Sequence, residues 1–207
     1  MIYRHLAEIA IGALLGMLAG WYRSASRPID LLVSAWSAVP SLFFAIVPLL
    51  LVNRSGSLAA STAAFVIVLS LTGWAETAVR CRVAVRGLSV APFVESAYAI
   101  GLRRFAVLWR HILPNLRDLL LIEAAYAMAA ALLLIGELGF LGIVVGGSVG
   151  DAGASSVHPI YAEWGSMLAR GVRDRGAGLW LLLEPLIAFT LAILAFNLLA
   201  EGLRRRQ

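Results

Sequence analysis

Apolar residues along this chain come in long blocks and do not alternate with polar ones. Five blocks, at about residues 6–22, 31–52, 58–79, 116–136 and 178–200, are almost free of charge. A helix needs about 20 such residues to cross the ~30 Å hydrocarbon layer of a bilayer. The pattern predicts five crossings, and hence an all-α, polytopic transmembrane bundle forming a single domain over residues 1–207. Two stretches interrupt the blocks. Residues 92–114 form a charged, helix-prone island between the third and fourth crossings, and residues 138–177 form a long polar segment between the fourth and fifth.

Details within the blocks refine this picture. Gly12, Gly16 and Gly20 recur every fourth residue, so one face of the first helix is all glycine and a neighbouring helix can approach closely. Pro40 and Pro48 each remove a backbone donor from the second block, which predicts a kink or local unwinding. The N-terminal block follows Arg4 as a signal peptide would, but no small-residue cleavage site leads into a polar mature chain, so it reads as a retained helix.

Composition agrees with the pattern. Hydrophobic residues make up 61% of the chain and the mean hydropathy is +0.87, against roughly 45–50% apolar residues in soluble domains. All 17 basic residues are arginine and none is lysine. A phosphate-binding loop of the G-x-x-x-x-G-K-[ST] type needs its lysine, so this chain lacks a standard ATP-hydrolysing motif and any ATP-driven work must come from a partner.

The arginines also predict orientation. Twelve fall at residues 23–27, 80–117 and 204–206, against five on the opposite side. The positive-inside rule then places the island and the C-terminus in the cytoplasm and the N-terminus outside. The net charge of +5 belongs to those cytoplasmic stretches and implies no nucleic-acid partner. Cys81 is the only cysteine, so there is no internal disulfide and no Cys-x-x-Cys metal or redox pair. No metal site and no cofactor is predicted in this chain.

The island carries recognisable helix signals. Pro92 suits a first turn, Glu95 suits the positive end of the helix dipole, and Gly101 follows the end. A second helix fits beyond it, with Phe105, Leu108, Trp109 and Ile112 on one apolar stripe, Arg103, Arg104 and Arg110 off it, and Pro114 as the interruption. Physics alone leaves two readings open. One is an interfacial helix among lipid headgroups, and the other is a docking element for a cytoplasmic protein.

Glu95-Ser96-Ala97, then Gly101, then Leu113-Pro114 resemble the E-A-A-x3-G-x9-I-x-L-P signature of permease subunits of binding-protein-dependent ABC importers. Ser96 and His111 depart from it. Arg110-His111-Ile112-Leu113-Pro114-Asn115 is similar to the variant in the dipeptide, oligopeptide and nickel C-type branch. Pro40-Ser41, Thr72-Gly73-Trp74, Glu137 with Phe140-Leu141-Gly142, Trp164-Gly165 with Met167-Leu168, Phe196-Asn197-Leu198-Leu199 and Gly202-Leu203-Arg204 look like the same branch, in order.

The resemblance implies a multi-pass subunit of a bacterial or archaeal cell membrane, with no catalytic residue of its own. Its implied partners are a second permease subunit, two cytoplasmic ATPases that bind ATP and Mg, an extracytoplasmic substrate-binding protein and membrane lipid. The implied solute is a di- or oligopeptide, with nickel or another small solute as the alternative. The island becomes a coupling helix docked on an ATPase through Glu95, Ser96, Ala97, Gly101, Leu113 and Pro114. A Cβ or a charge at Gly101 is expected to clash or mis-aim the second helix, although a plain helix cap there would also call for glycine. The family usually carries another N-terminal span and a soluble stretch before the point where this chain begins.

Ionisable groups near the spans complete the inventory. Glu76, Asp118, Glu123, Glu137 and Glu184 are costly in hydrocarbon unless they are paired or line a wet path. Glu76 and Asp118 have Arg80 and Arg117 close by. Pro40, Ser41, Glu123 and Glu137 are candidate path-lining positions. Gly146-Gly147-Ser148-Val149-Gly150 matches a serine nucleophile elbow with His158 nearby, the pattern of a membrane serine hydrolase, but an elbow needs a strand before it and a helix after. A secondary transporter would show internal repeats, and none is visible.

Overall fold

A computed structural model describes residues 2–53, 58–145, 148–149, 158–159, 163–174 and 178–205. In order, the helices are α1 (Ile2–Trp21), α2 (Arg23–Ser37), α3 (Ser41–Asn53), α4 (Leu58–Thr72), α5 (Trp74–Ser89), α6 (Pro92–Ala99) and α7 (Arg104–Val107). A single π-type turn over Leu108–Ile112 leads into α8 (Leu113–Asn115) and α9 (Arg117–Phe140). Strands β1 (Ser148–Val149) and β2 (His158–Pro159) then pair antiparallel, followed by α10 (Trp164–Arg173) and α11 (Trp180–Arg204).

Among the described residues three helices are long and apolar enough to cross a membrane: Thr62–Ser89, Arg117–Phe140 and Trp180–Arg204. They become four if α2 and α3 count as one bent span. The apolar helix Glu8–Trp21 is shorter than this length test requires. Several expected boundaries therefore shift. The second block is broken at residues 38–40, just before Ser41, where Pro40 cannot supply a backbone donor. The third runs on to Ser89, so Arg80, Arg82 and Arg86 lie on a helix and not in a loop.

The chain forms two compact units, interleaved along the sequence. The first holds residues 1–39, 72–125 and 199–207. Here α1 lies along α5 in parallel, glycine by glycine. A Cβ on Gly12 would sit 2.6 Å from the Trp74 carbonyl oxygen, one on Gly16 2.5 Å from that of Ala78, and one on Gly20 2.8 Å from Val85 Cβ. The expected glycine face is thus filled by a helix of the same chain. α2 crosses α5 through an Asp30–Arg82 ion pair, an Arg86 Nη2 donation to Ser26 Oγ at 2.7 Å, and a Trp36–Trp74 ring contact at 5.9 Å. The buried Glu8 carboxylate occupies the space a Gly73 side chain would need, at the N-cap of α5.

The second unit holds residues 40–71 and 126–198. Its core gathers Ala45 and Leu49 of α3, Phe65 and Val68 of α4, and Leu134, Leu138 and Ile143 from α9 and just beyond it. α9 ends at Gly142, whose φ of +78° permits the Ile143 N–H to reach the Leu138 carbonyl at 2.8 Å. Where the sequence pattern predicts only a polar segment, the structure has α10. It packs on α9 at a glycine contact, since a Cβ on Gly139 would meet the Gly165 oxygen at 2.6 Å. Trp164 stands edge-on to Phe189 of α11 at 5.6 Å.

Ser148 lies within strand β1, with Val149 opposite His158. Residues 150–157, where the turn and helix of an elbow would follow, lie outside the described residues. Gly146, Gly147 and Gly150 lie outside the described residues.

Candidate functional site

The island folds as expected in outline and differently in detail. Pro92 is in the first turn of α6, where a missing N–H costs nothing, and Glu95 is in the same turn. The end of α6 is a full Schellman cap. The Leu102 N–H reaches the Ala97 carbonyl at 3.1 Å and the Gly101 N–H reaches the Tyr98 carbonyl at 2.9 Å, with Gly101 at φ +83°. A Cβ on Gly101 would meet nothing among the described residues within 4 Å. The expected clash is thus absent, and glycine is required within the chain by backbone conformation alone.

Beyond the cap, the apolar stripe is not the one expected. Val107, Leu108 and Ile112 are buried, whereas Phe105 and Trp109 are 62% and 51% exposed. A π-type turn follows within the same segment. Pro114 cannot donate to the Arg110 carbonyl and its ring crowds that group, so the helix widens just before the proline and rotates its faces relative to a 3.6-residue repeat.

The inward residues join one cluster. Val94 and Ala97 of α6, together with Val107, Leu108, Ile112 and Leu116, pack with Met17 of α1 and Val85 of α5. This cluster ties α6 to the ends of the membrane helices on either side of the island. Of the six expected docking residues, Glu95, Ser96, Gly101 and Pro114 face outward. Ala97 is buried and Leu113 packs against the cluster, so both support the outer surface from behind. The Ser96 hydroxyl donates to the Pro92 carbonyl at 3.0 Å.

The candidate path residues separate. Pro40 and Ser41 are exposed at the α2–α3 break, and Glu137 is half-buried near the end of α9. Glu123 is buried and paired with Arg80, whose Nε lies 2.6 Å from its Oε1. Arg80 also reaches Glu76 at 3.2 Å, and Arg117 pairs with Asp118 at 3.3 Å. The pairing weighed for Glu76 and Asp118 is therefore present, and it extends unexpectedly to Glu123. Glu184 is exposed.

Sequence reasoning passed over Glu163. It opens α10 with a capping box in which its side chain accepts the Ser166 backbone N–H and its own N–H donates to Ser166 Oγ at 3.1 Å. The signal was readable, since Glu163-x-x-Ser166 is the capping box with its partners exchanged. Burial pushes its carboxyl pKa up to about 7, whereas an opened chain returns it to about 4.3. Between these values the folded state holds a proton that the opened state lacks. Local stability is therefore highest below about pH 4.3 and declines as the pH rises to about 7. Amide-exchange protection of Met167–Ala169, corrected for intrinsic rates, is expected to fall as the pH rises from about 4.3 to about 7. Glu163→Gln should flatten that slope, and an unchanged slope in the variant would contradict the assignment.

Long apolar helices with a capped, charged helical island between two of them define a multi-pass integral membrane protein. The chain belongs to the family of binding-protein-dependent transport system inner membrane components, whose pattern matches residues 12–207. It is similar to a putative peptide transport system permease protein of Brucella suis biovar 1, at 30% identity over 194 residues, 94% of this chain and 60% of the relative. It is also similar to the glutathione transport system permease protein GsiD of Pectobacterium atrosepticum, at 29% identity over 98% of this chain and 62% of that one. A third relative is the dipeptide transport system permease protein DppC of Alkalihalophilus pseudofirmus, 30% identical over 95% of this chain and 59% of that one. The chain spans about 60% of the length of these relatives. The family is a membrane component of transport systems and not an enzyme.

Proposed function

We propose that this chain is the permease subunit of an ATP-driven importer of peptide-type solutes, and that α6 is its coupling element. The observation that carries this reading is the single buried cluster joining α6 to α1, α5 and the approach to α9. Close-packed cores transmit displacement because they deform little. A push on the outer face of α6 therefore moves the helices it is packed on. Gly101 adds a second mark, because its missing side chain leaves open a direction that no described residue occupies.

In this reading two cytoplasmic ATPases bind ATP and Mg and dock on Glu95, Ser96, Gly101 and Pro114. A second permease subunit completes the path, and an extracytoplasmic binding protein delivers the solute. Pro40, Ser41 and Glu137 are assigned to the path, while Glu123 holds α9 to α5 beside it. Peptide-type solutes are preferred because the similar relatives are named for peptides, dipeptides and glutathione. The parallel packing of α1 on α5 supports five crossings within one transmembrane domain. Two parallel spans need one return between them, which α2 and α3 together provide. The arginine distribution supports a cytoplasmic side for the island and the C-terminus.

The test is co-purification of an ATPase from detergent-solubilised membranes. Wild type is expected to bring one along. Gly101→Asn tolerates a left-handed backbone and should keep the cap while placing a side chain in the docking space. It is expected to lose most of the ATPase with unchanged thermal stability. Equal recovery with both chains would overturn docking at Gly101.

A further inference from the structure

The outward face of the second island helix has no role in the coupling reading. Phe105 and Trp109 lie one turn apart on it with their rings perpendicular, centroids 6.1 Å apart, and both are more than half exposed. Arg103, Arg104 and Arg110 flank them and are exposed too. From Ser96 to Arg117 the sequence contains four arginines and no acidic residue, and of the four Arg117 is paired with Asp118. The face is therefore aromatic and cationic together.

Its height in the membrane follows from the opposite side of the same helix. Val107, Leu108 and Ile112 are held against Met17 and Val85. α1 ends at Trp21 and α5 at Ser89, each four residues beyond its contact. At 1.5 Å per residue that is about 6 Å of helix. The spanning helix α9 begins at Arg117, just past α8. The segment thus sits where membrane helices leave the hydrocarbon, the level that aromatic rings with one apolar and one wet side prefer. Guanidinium groups at that level meet lipid phosphates.

We propose that residues 103–110 form an interfacial anchor, with Phe105 and Trp109 seated among the headgroups and Arg103, Arg104 and Arg110 on anionic lipid. The island is then divided, with α6, Gly101 and Pro114 presented to protein and residues 103–110 to the bilayer. The lipid contact fixes one end of the lever, so a push on α6 turns the segment about Gly101 and does not sink it. This anchor needs no ATPase, and it stands or falls apart from the docking reading.

The test is a nitroxide label on the full chain, in a Cys81→Ala background, placed by Trp109→Cys and separately by Phe105→Cys. The chain is reconstituted without partners into vesicles of phosphatidylcholine alone or mixed with phosphatidylglycerol. The ratio of oxygen to water-soluble nickel-chelate accessibility reports depth. It is expected to be several-fold higher at both sites in the mixed vesicles than in phosphatidylcholine alone. Arg103→Gln, Arg104→Gln and Arg110→Gln together should abolish the difference. A label equally open to the nickel reagent in both lipids would overturn the anchor. Shielding from both reagents would also overturn it, by showing that protein covers the face.

Discussion

Gly16→Leu is expected to make Cys81 reactive toward maleimide in detergent, and the buried wild-type thiol is expected to stay unlabelled. Cys81 is buried against α1, and a Cβ on Gly16 would lie 2.7 Å from its Cβ and 2.5 Å from the Ala78 carbonyl oxygen. A backbone oxygen in the middle of α5 cannot swing aside as a long side chain would. Either α1 moves off α5 or the site is overpacked, which costs about 3 kcal/mol. Separation of the helices uncovers the only thiol in the chain, so labelling reports the event without any transport assay. Gly87→Leu is the control, because a Cβ there would meet nothing within 4 Å. A Gly16→Leu protein as inert and as stable as wild type would show that α1 does not pack on α5 in this way.

Arg80→Leu is expected to destabilise the chain more than Glu123→Gln does. The Glu123 side chain is 1% exposed and that of Arg80 is 43% exposed. Removing the arginine strands a carboxylate inside the fold, and removing one partner of a buried pair costs about 3–5 kcal/mol. The open side of Arg80 reduces that to about 2–3 kcal/mol, since water already screens part of the interaction. The reverse change leaves a guanidinium that still reaches Glu76 and solvent, so Glu123→Gln should cost about 1 kcal/mol. The double variant Arg80→Leu with Glu123→Leu should recover most of the loss, because an apolar pair leaves no charge uncompensated. Thermal unfolding of the four proteins in one detergent compares these losses. Equal losses for the two single changes would show that Glu123 is hydrated and not enclosed.

Features set by short-range chemistry were legible in the sequence. The helical membrane class followed from block length and hydropathy. The cap at Gly101 and the start at Pro92 followed from residues whose backbone limits are their own. The glycine face of α1 was visible as a close-approach surface, but its partner was not, because fourfold spacing says that a helix fits and not which one. The pairing of Glu76 with Arg80 was readable as neighbours four apart on a helix. The link from Arg80 to Glu123 crosses 43 positions and needed the fold.

Three readings were changed by packing. The stripe of Phe105, Leu108, Trp109 and Ile112 is divided, because only Leu108 and Ile112 join the cluster with Met17 and Val85. The clash expected at Gly101 assumed a neighbour that this chain does not supply. α10 was read as part of a polar segment because it is short, contains two glycines and buries its face only by resting on Gly139 and against α11.

By itself the sequence determined that this protein lives in a membrane, that these 207 residues hold no lysine-bearing phosphate loop, and that a capped helix stands between two spans. Each of these depends on composition or on neighbours within about one helical turn. Tertiary structure alone decided which helix fills the glycine face, which carboxylate is enclosed with Arg80, and which side of the island faces outward. Those outcomes depend on distances between residues far apart in the chain, and only the packed fold sets them.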